Sequence, residues 1–371
     1  MSDDTLDYGI ALDGADNDSN GKAVITDYVD SIAKALLAEL KANMPTMLAE
    51  RRAFFASFED RLYQRWGRAL DLFDTCRVVA LEAGEEFHRR GSGRGGKADI
   101  VYRVLVRLHA RACLTASEVG SMLRTGHAEA ALARWRTMYE IAVISYLVKE
   151  HGRDLAERYY LHGAVESLKG AERYQQHCVR LGYRPFSEDE MRKMRAQSEA
   201  LCTRFGDSYR HDYGWAAHAL GVKKPAFSNL EQAVKLEYVR PYYMWASRKV
   251  HATSKGIALV EDDTHGHVML AGPSNGGLCD PGQMTVISLL QCTGCLLGLD
   301  WDVKTLATFR ALYYLVGETE RAFIEAHHEL KKASQAVRDR RQTISGHRRR
   351  RLRRERYGIR AMQLWRRNDS R

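Results

Sequence analysis

Apolar residues recur at three- and four-residue spacing through most of this chain, and only six prolines interrupt its 371 positions. That period is the signature of helices with one buried face, and a chain with few prolines has few forced breaks. Plentiful Ala, Leu, Glu and Arg favour the same outcome. The expected fold is therefore all-α, a multi-helix bundle with long helices. Hydrophobic residues make up 45% of the chain, enough to bury a large core.

The pattern divides the chain into three parts. Residues 1–21 are acidic and polar and are expected to be disordered. Residues 22–330 read as a single large helical domain, and 331–371 as a polybasic tail. Within the domain, Ile25, Val29, Ile32, Leu36 and Leu40 mark a first helix. Pro45 suits the first turn of a second helix, which runs to about Phe87. A glycine-rich break spans 90–97. Helices over 100–123 and 128–148 are apolar on most faces and belong at the centre of the core. A further helix is expected over 154–180. Ser187 and Glu190 form a capping-box pair for a helix that ends near Gly206. Residues 207–226 read as irregular, 229–255 as helical, and 256–282 as one long irregular loop. The last core helices cover 284–299 and 303–330.

Charge needs to be located before it is interpreted. The chain carries a net +10, but the last 41 residues hold 16 Lys or Arg against 3 acids, which leaves the other 330 at −3. A basic balance that suggests nucleic acid is thus confined to the tail. There Arg348, Arg349, Arg350, Arg351, Arg353 and Arg354 can neutralise phosphates of RNA or DNA, with Tyr357 and Trp365 placed to stack on bases. The plainer reading is a solvated extension that holds polyanions without selectivity.

No run approaches the roughly 18 apolar residues a membrane span needs. Met1 to Asn20 carries six Asp and neither Lys nor Arg, the opposite of a secretory leader. A cytoplasmic location is expected, and the seven cysteines read as reduced core thiols.

Several motifs fail on context. Gly91, Gly96 and Lys97 have phosphate-loop spacing, but Ala98 stands where Ser or Thr would hold magnesium, and a charged helical segment precedes them instead of a strand. Cys292 and Cys295 have zinc-knuckle spacing without a second ligand pair. His265 and His267 follow Glu261, Asp262 and Asp263, a set chemically able to bind metal but common on solvated loops. No metal or cofactor is expected.

Polar groups on apolar helices carry more weight. Arg136 and Glu140 lie four apart on an otherwise apolar helix, where charges must be paired. They form either an ion-pair network that fixes packing or part of a polar pocket. His162, Glu166 and Lys169 share a face of the next helix. Arg240, Tyr243, Ser247 and His251 share a stripe of another. A nucleophilic Ser needs a strained turn and an oxyanion hole, and nothing near Ser247 suggests either.

The runs Arg65-Trp-Gly-Arg-Ala-Leu-Asp-Leu, Arg134-Trp-Arg-Thr-Met-Tyr-Glu-Ile-Ala-Val143, Asp212-Tyr-Gly-Trp-Ala216, His251-Ala252 and Leu270-Ala-Gly-Pro-Ser-Asn275 resemble an uncharacterised prokaryotic family, the domain-of-unknown-function family numbered five-six-seven-seven. The similarity extends over roughly residues 60–300. It implies an all-helical cytosolic protein and brings no established activity. Families of this type distantly resemble the HEPN helical domains, many of them ribonucleases of toxin and phage-defence systems. Those nucleases place four to six residues between an Arg and a His on one helix. Here Arg248 and His251 are separated by two, and Arg240 and His251 by ten.

The leading expectation is a protein that recognises a partner or small ligand through its polar helical cluster, with Arg136, Glu140, Arg240 and His251 converging on one cavity. The first alternative is a metal-independent ribonuclease of a toxin or defence system, with His251 as acid/base and the arginines offsetting phosphate charge. The second is a nucleic-acid-binding module acting through the tail.

Overall fold

The computed structural model describes residues 19–91, 99–251, 254 and 270–368. Among these residues it contains nine α-helices and no strand, so the all-α expectation holds. No described helix is long and apolar enough to cross a membrane. Four expectations fall outside the described residues: disorder of the acidic start, the phosphate-loop spacing up to Ala98, the histidine pair at 265 and 267, and most of the long loop. The side chains of the tail arginines lie outside them as well.

The chain divides at Arg61 into two compact units. Helix α1, Ser19–Gly91, runs through the division. Pro45 sits inside this helix and does not start a new one. Proline forfeits one backbone hydrogen bond there, and the good helix formers on both sides carry the helix past it. In the first unit every side chain from Thr26 to Ser57 is exposed.

The second unit is a helical bundle. Its part of α1 buries Leu62, Trp66, Ala69, Leu70, Phe73, Cys76 and Ala80, a stripe that follows helical spacing. Helix α2, Ile100–Arg124, starts where the Asp99 carboxylate accepts a 3.1 Å hydrogen bond from the Val101 amide. Helix α3, Ala128–His177, joins the two helices expected over this region, with a kink at Gly152, whose φ of 66° suits glycine. Helix α4, Glu188–Phe205, begins with the expected capping box, in which Ser187 and Glu190 each accept the other's backbone N–H.

The expected helix over 229–255 is broken. It becomes α6, Phe227–Ala233, then a 3-10 turn at Glu237–Val239, then α7, Arg240–Val250. Lys235 takes a left-handed φ of 57°, which ends α6, and Pro241 sits in the first turn of α7. The short α5, Ala217–Leu220, precedes them. Helix α8, Cys279–Leu297, begins inside the stretch expected to be loop. Helix α9, Val303–Asn368, runs past residue 330 and carries the tail as helix.

Helices α2, α3 and α8 pack on one another at the centre, and α9 packs on α8. Phe323 of α9 meets Trp66 and Phe73 of α1 at ring separations of 6.0 and 6.5 Å. Gly282 of α8 faces that ring so closely that a Cβ would lie 2.4 Å from it.

Candidate functional site

Helix α3 brings the first part of the site. Trp135 is fully buried, and its indole N–H reaches the Met284 carbonyl at 3.0 Å and the Ser288 hydroxyl at 3.1 Å, which fixes the rotation of α3 against α8. That rotation turns Tyr139 and the Arg136–Glu140 pair toward α6 and α7. Tyr139 donates to the Leu236 carbonyl at 2.8 Å, and its ring meets Tyr243 at a tilt and Phe227 edge to face, at 5.7 and 5.8 Å.

The two charges meet as expected. Arg136 Nε lies 3.2 Å from Glu140 Oε1, close enough for charge pairing, although the N–H is not aligned as a hydrogen bond. The same carboxylate oxygen accepts a 2.7 Å hydrogen bond from the Tyr243 hydroxyl, and the Arg136 guanidinium lies 4.8 Å above the Tyr243 ring. Burial, reinforced by the adjacent Glu140 carboxylate, holds the Tyr243 phenol well above its ordinary range. Burial works against the charge on Arg136, but its contacts with Tyr243 and Glu140 outweigh that and raise its pKa. Both side chains of the ion pair keep roughly three-tenths of their surface in solvent, so the pair is a half-open one.

Arg240 belongs to a neighbouring pair. It bonds Glu231, whose side chain is wholly buried and has one oxygen, Oε1, without a partner. Tyr139 lies beside both: burial first and then the Glu231 carboxylate push its phenol well above the ordinary range, and its ring meets that of Tyr243. Glu231 was not a sequence candidate. It is nine positions from Arg240 across the break at Lys235, so no helical spacing connects them. The Arg240-Pro241 start of α7 was the one available signal.

His251 stands apart from both pairs. It caps the C-terminus of α7, exposed to solvent, eight residues beyond Tyr243 and about 12 Å further along at helical rise. Two clefts, of about 480 and 470 Å³, open elsewhere: one is lined by Glu82, Glu86, Arg90 and Lys304 among others, the second by Arg192, Arg195 and Glu199 among others. Neither contains Arg136, Glu140, Arg240 or His251.

Two further motifs, the histidine cluster of α3 and the cysteine pair of α8, lie in packed surroundings. His162 is buried, and its Nε2 faces the carbonyls of Tyr209 and His211 at 3.1 and 3.0 Å. Both are acceptors, so Nε2 carries the hydrogen. Nδ1 lies 3.3 Å from Glu166, while Lys169 turns to Asp212 at 2.7 Å. Cys292 and Cys295 are buried in α8, where burial raises the Cys292 thiol pKa far above normal and that of Cys295 to about 12. Such thiols are inert. Among the described residues no three His, Cys, Asp or Glu side chains form a metal-holding group.

The outer side of α7 has a different character. Trp245 and Met244 are each about half exposed, and Tyr238 just before the helix is 71% exposed. Tyr242 and Trp245 pack edge to face at 5.3 Å. Lys249 is tied to Glu129, and Arg240 to Glu231. An aromatic surface with basic residues at its edges is held on α3 by the Tyr243–Glu140 bond.

Fold and site together define an all-α protein with a helix clamped by a half-open ion-pair cluster. Residues 102–267, a little under half of the chain, match the family model described as a family of unknown function, DUF5677, and this segment is similar to that family. The resemblance noted in the sequence thus stands, over a shorter span than 60–300: the Arg65-Trp66 run and Leu270–Asn275 lie outside the match. Arg136, Glu140, Glu231, Arg240, Tyr243 and His251 all lie within it. No curated protein and no solved structure matches the chain.

Proposed function

We propose that the chain is a recognition domain that docks a protein partner on the outer face of α7. The observation that supports it is the exposure of Trp245, Met244 and Tyr238 on a short helix whose inner face is fixed by Tyr243, Glu140 and Arg136. Trp, Tyr, Met and Arg are the residues enriched where protein interfaces gain most of their energy, and a rigid platform lowers the cost of ordering them. The partner chemistry that fits is an apolar anchor flanked by a carboxylate, which would meet Arg248. A polyanion fits less well, because the body outside the tail carries −3.

The test is a photoreactive phenylalanine analogue at position 244. Irradiation in cells should give a discrete protein adduct that disappears when Trp245 and Tyr238 are changed to Ala. The same analogue at the exposed Tyr160 should not give it. An adduct that is RNA, or one equally strong from position 160, contradicts the reading.

The tail supports a second, separate reading, nucleic-acid binding without sequence selectivity, on the strength of its 16 basic residues. Deleting 331–371 should abolish salt-dependent retention of single-stranded RNA. Retention that survives the deletion excludes it.

A further inference from the structure

Residues 26–57 of the first unit form a helical segment in which every side chain is exposed. Along one side run Val29, Leu36, Leu40, Met44 and Met47, each with about half of its surface in solvent, flanked by Ile32, Leu37 and Leu48. The positions repeat every 11 residues, 29 with 40 and 36 with 47, so the stripe stays on one side of the helix from Val29 to Met47, and Arg51, which follows 29 and 40 in that repeat, ends it ahead of Phe55. An isolated helix gains little from propensity alone, and a continuous exposed apolar stripe marks a surface meant to be covered.

The charges beside the stripe identify what covers it. On one flank the charged residues are acidic, Glu39 and Glu50. The opposite flank carries Lys34, Lys41 and Arg52, with Asp27 and Asp30 confined to its N-terminal end. In a parallel pair of identical helices the two unlike flanks face each other. Glu39 then lies near Lys34 and Lys41 of the second copy, and Glu50 near its Arg52. An antiparallel pair sets like flanks together, Glu39 beside Glu39 and Lys41 beside Lys41. We propose that this segment self-associates, pairing in parallel with the same segment of a second copy of the chain through Val29, Leu36, Leu40, Met44 and Met47. The charge pattern selects a second copy over a lipid surface, since residues 26–57 carry four acidic and four basic side chains and offer no net attraction to anionic headgroups.

The full chain tests this by sedimentation equilibrium. The wild type should be dimeric at micromolar concentration, and Leu36→Glu with Leu40→Glu should be monomeric with unchanged helix content by circular dichroism. Reversing one flank, Glu39→Lys with Glu50→Lys, should weaken the dimer at least tenfold. Adding Lys34→Glu, Lys41→Glu and Arg52→Glu should restore it. Orientation is read from Val29→Cys, which should form an intermolecular disulfide under mild oxidation. In an antiparallel pair centred near Leu40 those sulfurs would be about 33 Å apart. A monomeric wild type, a dimer that survives the two glutamates, or a disulfide at Leu40→Cys but not at Val29→Cys overturns the proposal. So does a monomer that instead floats with lipid vesicles.

Discussion

His109 is the buried titratable group whose behaviour is most sharply set by its neighbours. It is 4% exposed, its Nε2 lies 3.1 Å from the Thr293 hydroxyl, and burial lowers its pKa from 6.5 to about 4. The folded state therefore resists a proton that the unfolded chain accepts. Its stabilising effect is complete above pH 6.5 and is lost progressively as pH falls from 6.5 toward 4, by about 3 kcal/mol in total. Thermal melts across that range should fall more steeply for the wild type than for His109→Gln; parallel slopes would mean that this imidazole does not set the acid limb. Gly84 tests the same packing by volume. A Cβ there would lie 2.4 Å from the imidazole Cε1, so Gly84→Ala should cost about 1–3 kcal/mol in urea unfolding, and a neutral result would place the ring elsewhere. Glu231 is the other exacting residue. Arg240→Ala leaves its buried carboxylate without a counter-charge and should cost about 3–5 kcal/mol. The double change Glu231→Leu with Arg240→Met should be the milder one, and a reversed order would exclude the ion pair.

At the scale of elements, helix starts with chemical caps could be read from the sequence, and helix breaks without them could not. Ser187 and Glu190 announce α4 because both halves of the box are local in the chain. Ser187→Ala should accordingly cost about 1 kcal/mol, measured by denaturant unfolding, and no loss would contradict the box. The α6–α7 break escaped because apolar spacing carries through it. What divides the segment is a left-handed Lys235 held between Gln232 and the turn that follows, a tertiary outcome with no residue signal of its own. Pro45 misled in the opposite direction, since a proline tolerated inside a helix looks the same in sequence as one that opens it. The Arg136–Glu140 pair could be read because both residues sit on one helix. Its junction with Tyr243 is 103 residues away in the chain, and only the packing of α7 on α3 brings them together.

For the whole molecule, charge and apolar surface separate by region. The tail carries the positive charge, the first unit carries the uncovered apolar stripe, and the second unit carries the half-open cluster and the aromatic face of α7. The proposed docking surface is that face, held rigid from beneath. Its most direct test is calorimetric titration of the partner captured at position 244 against the wild type, Trp245→Ala and Tyr243→Phe. Trp245→Ala should weaken binding about thirtyfold or more, the loss expected of an anchor residue. Tyr243→Phe, which keeps the ring but releases Glu140, should weaken it less. Equal affinity for wild type and Trp245→Ala would contradict the account.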